Sequence, residues 1–116
     1  MSLDLPQQPQ FDDLQRRVTL LEATAKSLVM PIQTLHPHPI EVFRDLLAVV
    51  QFEEGAWLAS FIDANIHASG EDQQDALDEL RETIAARFLL FTKNEHSLGD
   101  EPRRQLAVLR NFMRAI

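Results

Sequence analysis

From Phe11 onward the apolar positions Phe11, Leu14, Val18, Leu21, Ala25, Leu28 and Ile32 alternate by three and four. That spacing is close to the ~3.5-residue repeat that keeps one helical stripe facing a partner, and it predicts an amphipathic helix over 11–30. In heptad terms Phe11, Val18 and Ala25 fall at a positions and Leu14, Leu21 and Leu28 at d positions. Arg17 at g and Glu22 at the following e would pair between parallel chains. This reading makes 11–30 an oligomerising coiled coil and the protein a homo-oligomer. The same heptads also describe a helix lying on its own domain. Residues 1–10, rich in proline and glutamine, read as a flexible tail. Pro31 and the run His36-Pro37-His38-Pro39 cannot continue a helix, because each proline lacks an amide donor and moves its predecessor out of the helical region. Residues 31–42 therefore read as a stiff, proline-rich linker.

The remaining 43–116 alternates differently. Leu46 to Glu53 and Ala56 to Asp63 are rich in aliphatic and aromatic residues and flank Glu54-Gly55, which predicts an antiparallel hairpin. Leu46, Ala48, Val50 and Phe52 share one face of the first strand. Ile66-His67-Ala68 suits a short third strand. Asp72 then caps a helix, with Asp75 three residues on as in a capping box. Ala76, Leu77, Leu80, Ile84, Phe88 and Phe91 recur at helical spacing and face the sheet, with Asp75, Asp78, Glu79 and Glu82 opposite. Asp100-Glu101-Pro102 opens a last helix, whose stripe Leu106, Leu109, Phe112, Met113 and Ile116 carries it to the end. The expected fold is α+β. It has an N-terminal amphipathic or coiled-coil helix, then a three-stranded antiparallel sheet covered by one helix, then a C-terminal helix.

Composition narrows the classes of function. With 116 residues there is room for one modest core. Eighteen acids against eleven bases give a net charge of -7, which opposes broad attraction to nucleic acid or anionic membrane. The exception is local, since the stretch from Asp100 onward carries four arginines against two acids. No stretch approaches the ~20 apolar residues that span a bilayer. With no cysteine and no signal-like N-terminus, a cytoplasmic protein is expected.

The order of hairpin, short strand, Gly-acid turn and acidic helix resembles the HicB-like antitoxin family over Leu46 to Phe91. The residues that carry the resemblance are Gly55, Trp57-Leu58-Ala59-Ser60-Phe61, Asp63, Gly70-Glu71-Asp72 and Asp75-Ala76. The family usually has Pro-Asp-Leu-Pro-Gly-Cys after the second strand, where this chain has Ile62-Asp63-Ala64-Asn65-Ile66. Members also carry a C-terminal DNA-binding domain, for which one helix leaves no room. The resemblance implies a partial double-stranded-RNA-binding-like αβ sandwich without catalysis of its own, which in the family masks a small ribonuclease toxin.

Candidate chemistry is sparse. His36 and His38 lie in the linker, His67 near a strand and His96 in a loop, without the spacing zinc needs, so no metal or cofactor is expected. Glu53-Glu54 reads as a turn rather than a carboxylate pair, and Asp63 and Asn65 read as turn organisers. No phosphate loop or nucleophile motif occurs, and a non-enzyme is expected. Trp57 is either an interface anchor or a core contact. With Asp75, Asp78, Glu79 and Glu82 it forms the candidate surface for a small basic toxin-like protein. Arg103, Arg104, Arg110 and Arg114, taken to share a helical side, form a candidate nucleic-acid patch whose alternative role is to complement the helix dipole. A structural adaptor in a larger assembly is the third class.

Overall fold

The computed structural model describes residues 27–116. In chain order the elements are β1 (Leu28–Ile32), β2 (Ile40–Val42), β3 (Leu46–Glu53), β4 (Ala56–Phe61), β5 (Ile66–Gly70), α1 (Gln73–Lys93), α2 (Asp100–Leu109) and β6 (Met113–Ala115), with single 3-10 turns at Ile62–Ala64 and Glu95–Ser97. The main sheet is antiparallel with strand order β1-β3-β4-β5, and a second, two-stranded sheet joins β2 to β6.

The β3–β4 turn follows from two residues. Glu54 at φ 52° and Gly55 at φ 83° both take the left-handed region, as a two-residue hairpin turn requires. The register puts Phe52 opposite Trp57 and Val50 opposite Ala59. After β4 the chain turns through Ile62–Ala64, and Asn65 closes the turn at φ 56° with its amide bonded to the Ile62 carbonyl at 3.0 Å. Asparagine tolerates that conformation better than most residues.

Helix α1 begins as its sequence suggests. The Asp72 carboxylate accepts from the Asp75 amide at 2.7 Å, and the Asp75 carboxylate accepts from the Glu71 amide at 2.9 Å. This reciprocal cap satisfies donors left free by the first turn. Ala76, Leu77, Leu80, Ile84, Ala85 and Phe88 are buried along one side. The helix lies mainly over β5 and β4, with less contact to β3. Phe61, Ile66, Leu80, Ile84 and Phe88 fill the space between helix and sheet.

Three expectations are overturned. The sheet has four strands, because Leu28–Ile32 pairs along β3 from Leu28 opposite Val50 to Ile32 opposite Leu46. Leu28 is thus a strand residue rather than a d position of an N-terminal helix. Phe11, Leu14, Val18, Leu21 and Ala25, and the tail before them, lie outside the described residues. Pro31 sits within β1, which is an edge strand among those described, the place where a missing amide donor is tolerated. The stretch read as a linker is likewise structural. Leu35 and Ile40 are buried in the main core, and Ile40–Val42 forms β2. The C-terminal helix stops at Leu109, after which Met113–Ala115 pairs with β2. Phe112 anchors this exit by meeting Phe61 edge-on at 5.2 Å, while its carbonyl accepts from the Phe43 amide at 2.9 Å.

Candidate partner-binding site

Because α1 lies over β4 and β5, the helix-side corner of β1 and β3 is left open. Leu28 is 49% exposed and Phe52 59% exposed, although both lie on the face that elsewhere carries the core. Phe52 meets Trp57 edge-to-face at 5.3 Å. Trp57 spans both environments, packing on the core with one side while remaining partly exposed. Exposed apolar residues that adjoin a tryptophan are the kind of surface that anchors a partner, since burying them releases most of their contact energy at one spot.

The rim of this corner is acidic. A cavity of about 270 Å³ beside the hairpin is lined by Glu53, Glu54, Ala56, Trp57, Leu58 and Ser69. Gly70 lies opposite Trp57 across the sheet, and it leads directly into Glu71, Asp72 and Asp75 at the start of α1. The acids continue along the helix but differ in availability. Asp75 is engaged in the cap, Asp78 accepts from Gln74 at 2.9 Å with Arg81 at 3.7 Å, and Glu82 meets His38 Nε2 at 2.8 Å. Glu79 makes no ion pair among the described residues. The acids without an ion pair are thus Glu54, Glu71 and Glu79, with Glu53 accepting from Gln51 Nε2 at 3.0 Å, rather than the whole helical stripe. Phe52, Glu53, Glu54 and Glu71 were missed because alternation assigned Phe52 to the core, Glu53-Glu54 read as the hairpin turn, and Glu71 read as part of the Gly70-Glu71-Asp72 turn. The signal was present in the four-residue run Phe52-Glu53-Glu54-Gly55, an aromatic at the very end of a strand.

The C-terminal arginines do not share one helical side. Arg103 and Arg104 are in α2, Arg110 follows it and Arg114 is in β6. Arg104 makes a forked contact to Glu101 at 3.2 and 2.7 Å, and Arg110 makes one to Glu95 at 2.8 and 2.7 Å. Arg114 bonds Glu41 at 2.6 Å across the two-stranded sheet, while Arg103 donates to the Leu98 carbonyl at 3.0 Å. The arginine hydrogen bonds hold the Glu41, Glu95 and Glu101 carboxyls below the usual glutamate range and raise the partner guanidiniums. A phosphate would have to displace these carboxylates, a competition that weakens any backbone contact.

One side-chain chain has the composition of a hydrolytic centre. His67 Nδ1 is 2.8 Å from Ser60 Oγ and His67 Nε2 is 2.8 Å from Asn65 Oδ1. Ser60 is buried on the sheet face away from α1, and it lines none of the cavities at the hairpin, beside Arg81 or beside Phe112. His67 thus links Ser60 on β4 to Asn65 in the turn before β5 as a cross-strand polar ladder. His36 and His96 stand apart from it. Among the described residues no group of three or more His, Asp or Glu side chains gathers to hold a metal, and no helix is long and apolar enough to cross a membrane. No protein-family model matches this chain, and neither does any curated protein or solved structure.

Proposed function

We propose that the chain is a non-catalytic protein-binding module whose open corner at Leu28, Phe52 and Trp57 receives an apolar anchor from a small basic partner. The single observation that carries this is the exposed Phe52–Trp57 pair beside acids that make no ion pair among the described residues. The aromatic pair supplies the desolvated centre of an interface, and Glu53, Glu54, Glu71 and Glu79 supply steering and orientation. The succession of β3, β4, β5 and α1, with Gly70 at the strand-to-helix turn, supports a HicB-like reading, under which the partner is an antitoxin's toxin. Cytoplasmic residence belongs to the same proposal, in keeping with a chain free of cysteine.

The test is affinity capture from the native cells with the full chain and with Phe52→Ser as parallel baits, each with and without nuclease. The proposal expects a small basic protein that survives nuclease, is retained by the full chain and is lost with Phe52→Ser. Equal recovery on both baits, or recovery of nucleic acid alone, would overturn it.

A further inference from the structure

The guanidinium of Arg81 on α1 lacks a full set of acceptors. Its Nε is buried and has no hydrogen-bond partner among the described residues. Its terminal nitrogens reach only the His36 carbonyl at 3.4 Å and the Asp78 carboxylate at 3.7 Å, both longer than the roughly 2.7–2.9 Å of a good charge-assisted hydrogen bond. Asp78 is also taken by Gln74 Nε2 at 2.9 Å, and the neighbouring Glu82 is held by His38 at 2.8 Å. Arg104 and Arg110 are each closed by a forked glutamate, and Arg81 is not. A guanidinium offers a planar fork of N–H donors, and leaving them unmatched at a half-buried position costs free energy.

Arg81 lines a cavity of about 210 Å³ between α1 and the end of β1, together with Pro31, Ile32, Gln33, Thr34 and Leu77. Its lining divides by chemistry. Pro31, Ile32 and Leu77 make an apolar wall, with Leu77 one turn before Arg81 on the same side of α1. Gln33, Thr34 and Arg81 bring donors. Thr34 Oγ1 accepts from the His36 amide at 3.1 Å, which leaves its hydroxyl hydrogen to donate, and Gln33 Nε2 makes only a 3.4 Å contact to Asp45. In a chain of net charge -7, no carboxylate is among the residues lining this cavity. We infer that the cavity binds a small aliphatic carboxylate, whose two oxygens take the Arg81 fork with Thr34 and Gln33 as further donors, and whose short chain lies on Pro31, Ile32 and Leu77. A carboxylate matches the planar fork two bonds at a time. A phosphate would bring a second charge toward Asp78, and it has no use for the apolar wall. The volume lies below the ~300–1,000 Å³ of pockets for drug-sized molecules, which limits the ligand to a few carbons. This site shares no lining residue with the cavity at the hairpin, so it stands apart from the protein-binding corner at Phe52 and Trp57.

The test titrates the full chain with pentanoate, with pentanamide as the uncharged comparison, and follows the arginine Nε–H resonances by nitrogen-15 NMR. The Arg81 resonance, identified as the one missing from Arg81→Lys, should move saturably with millimolar pentanoate. Pentanamide should bind at least about tenfold more weakly, because it lacks the charge that the guanidinium matches. Arg81→Lys keeps the charge but loses the fork, and should weaken pentanoate binding roughly tenfold with an unchanged urea midpoint. A pentanoate response confined to Arg104 or Arg110, an equal response to pentanoate and pentanamide, or no displacement at Arg81 up to about 50 mM would each overturn the inference. Full affinity in Arg81→Lys would do the same.

Discussion

A Cβ on Gly70 would collide with the backbone nitrogen of Ala76, so β5 and the first turn of α1 approach each other as closely as glycine permits. This contact fixes how closely the start of α1 sits against the end of β5. Gly70→Ala must push the end of β5 and the first turn of α1 apart. It should destabilise the fold by about 1–3 kcal/mol, the usual range for overpacking, read as a lower urea midpoint. An unchanged midpoint would show that the helix start can yield.

Gln105 is a second point at which distant parts of the chain are fixed. It is 6% exposed, and its Nε2 donates to the carbonyls of Ala64 at 2.9 Å and Asn65 at 3.3 Å. These bonds tie α2 to the turn after β4. Gln105→Leu keeps the volume but leaves the buried Ala64 carbonyl without this donor, a loss of roughly 1–3 kcal/mol. Thermal unfolding of the variant would measure it.

The acid limb of the stability profile follows from Glu41, Glu95 and Glu101. Their folded-state pKa values lie below 4.5 because each accepts a hydrogen bond from an arginine. A depressed carboxylate contributes stability that is fully present above its unfolded value and is lost as pH falls through the folded one. The midpoint temperature should therefore decline as pH drops below 4.5. Glu95→Gln should reduce that dependence, and salt should weaken it because the pairs are exposed. Identical pH profiles for Glu95→Gln and the unaltered chain would contradict this.

The same pairing bears on nucleic acid. With Arg104, Arg110 and Arg114 held by carboxylates and an overall charge of -7, labelled single-stranded or duplex oligonucleotides should show no salt-sensitive mobility shift at physiological ionic strength. A shift that disappears on replacing these arginines would favour the regulator reading instead.

Local chemistry was legible in the sequence wherever neighbours along the chain determine the structure. Glu54-Gly55 marked the hairpin, Asp72 and Asp75 marked the helix cap, and Leu80, Ile84 and Phe88 marked the buried side of α1. What could not be read was long-range pairing. Leu28 continued a helical spacing, and its role in β1 depends on Val50 across the sheet. Phe112 and Met113 continued the stripe of α2, and their departure from it depends on Val42 and on Phe61. Phe52 looked like a core residue because alternation gives the face of a strand but not the extent of the helix above it. The arginines were assigned one helical side because spacing cannot show that the helix stops at Leu109, or that Glu95 and Glu41 pair with Arg110 and Arg114.

Trp57 is the chain's one tryptophan, so fluorotryptophan incorporation yields a single reporter inside the proposed interface. The decisive measurement is fluorine NMR of this labelled chain, titrated with the basic protein that capture recovers. Saturable displacement of the Trp57 resonance, abolished by Phe52→Ser with less than ~1 kcal/mol of change in folding stability, is the expected result. Binding that leaves the resonance unmoved would place the interface elsewhere and contradict the assignment of the Phe52–Trp57 corner.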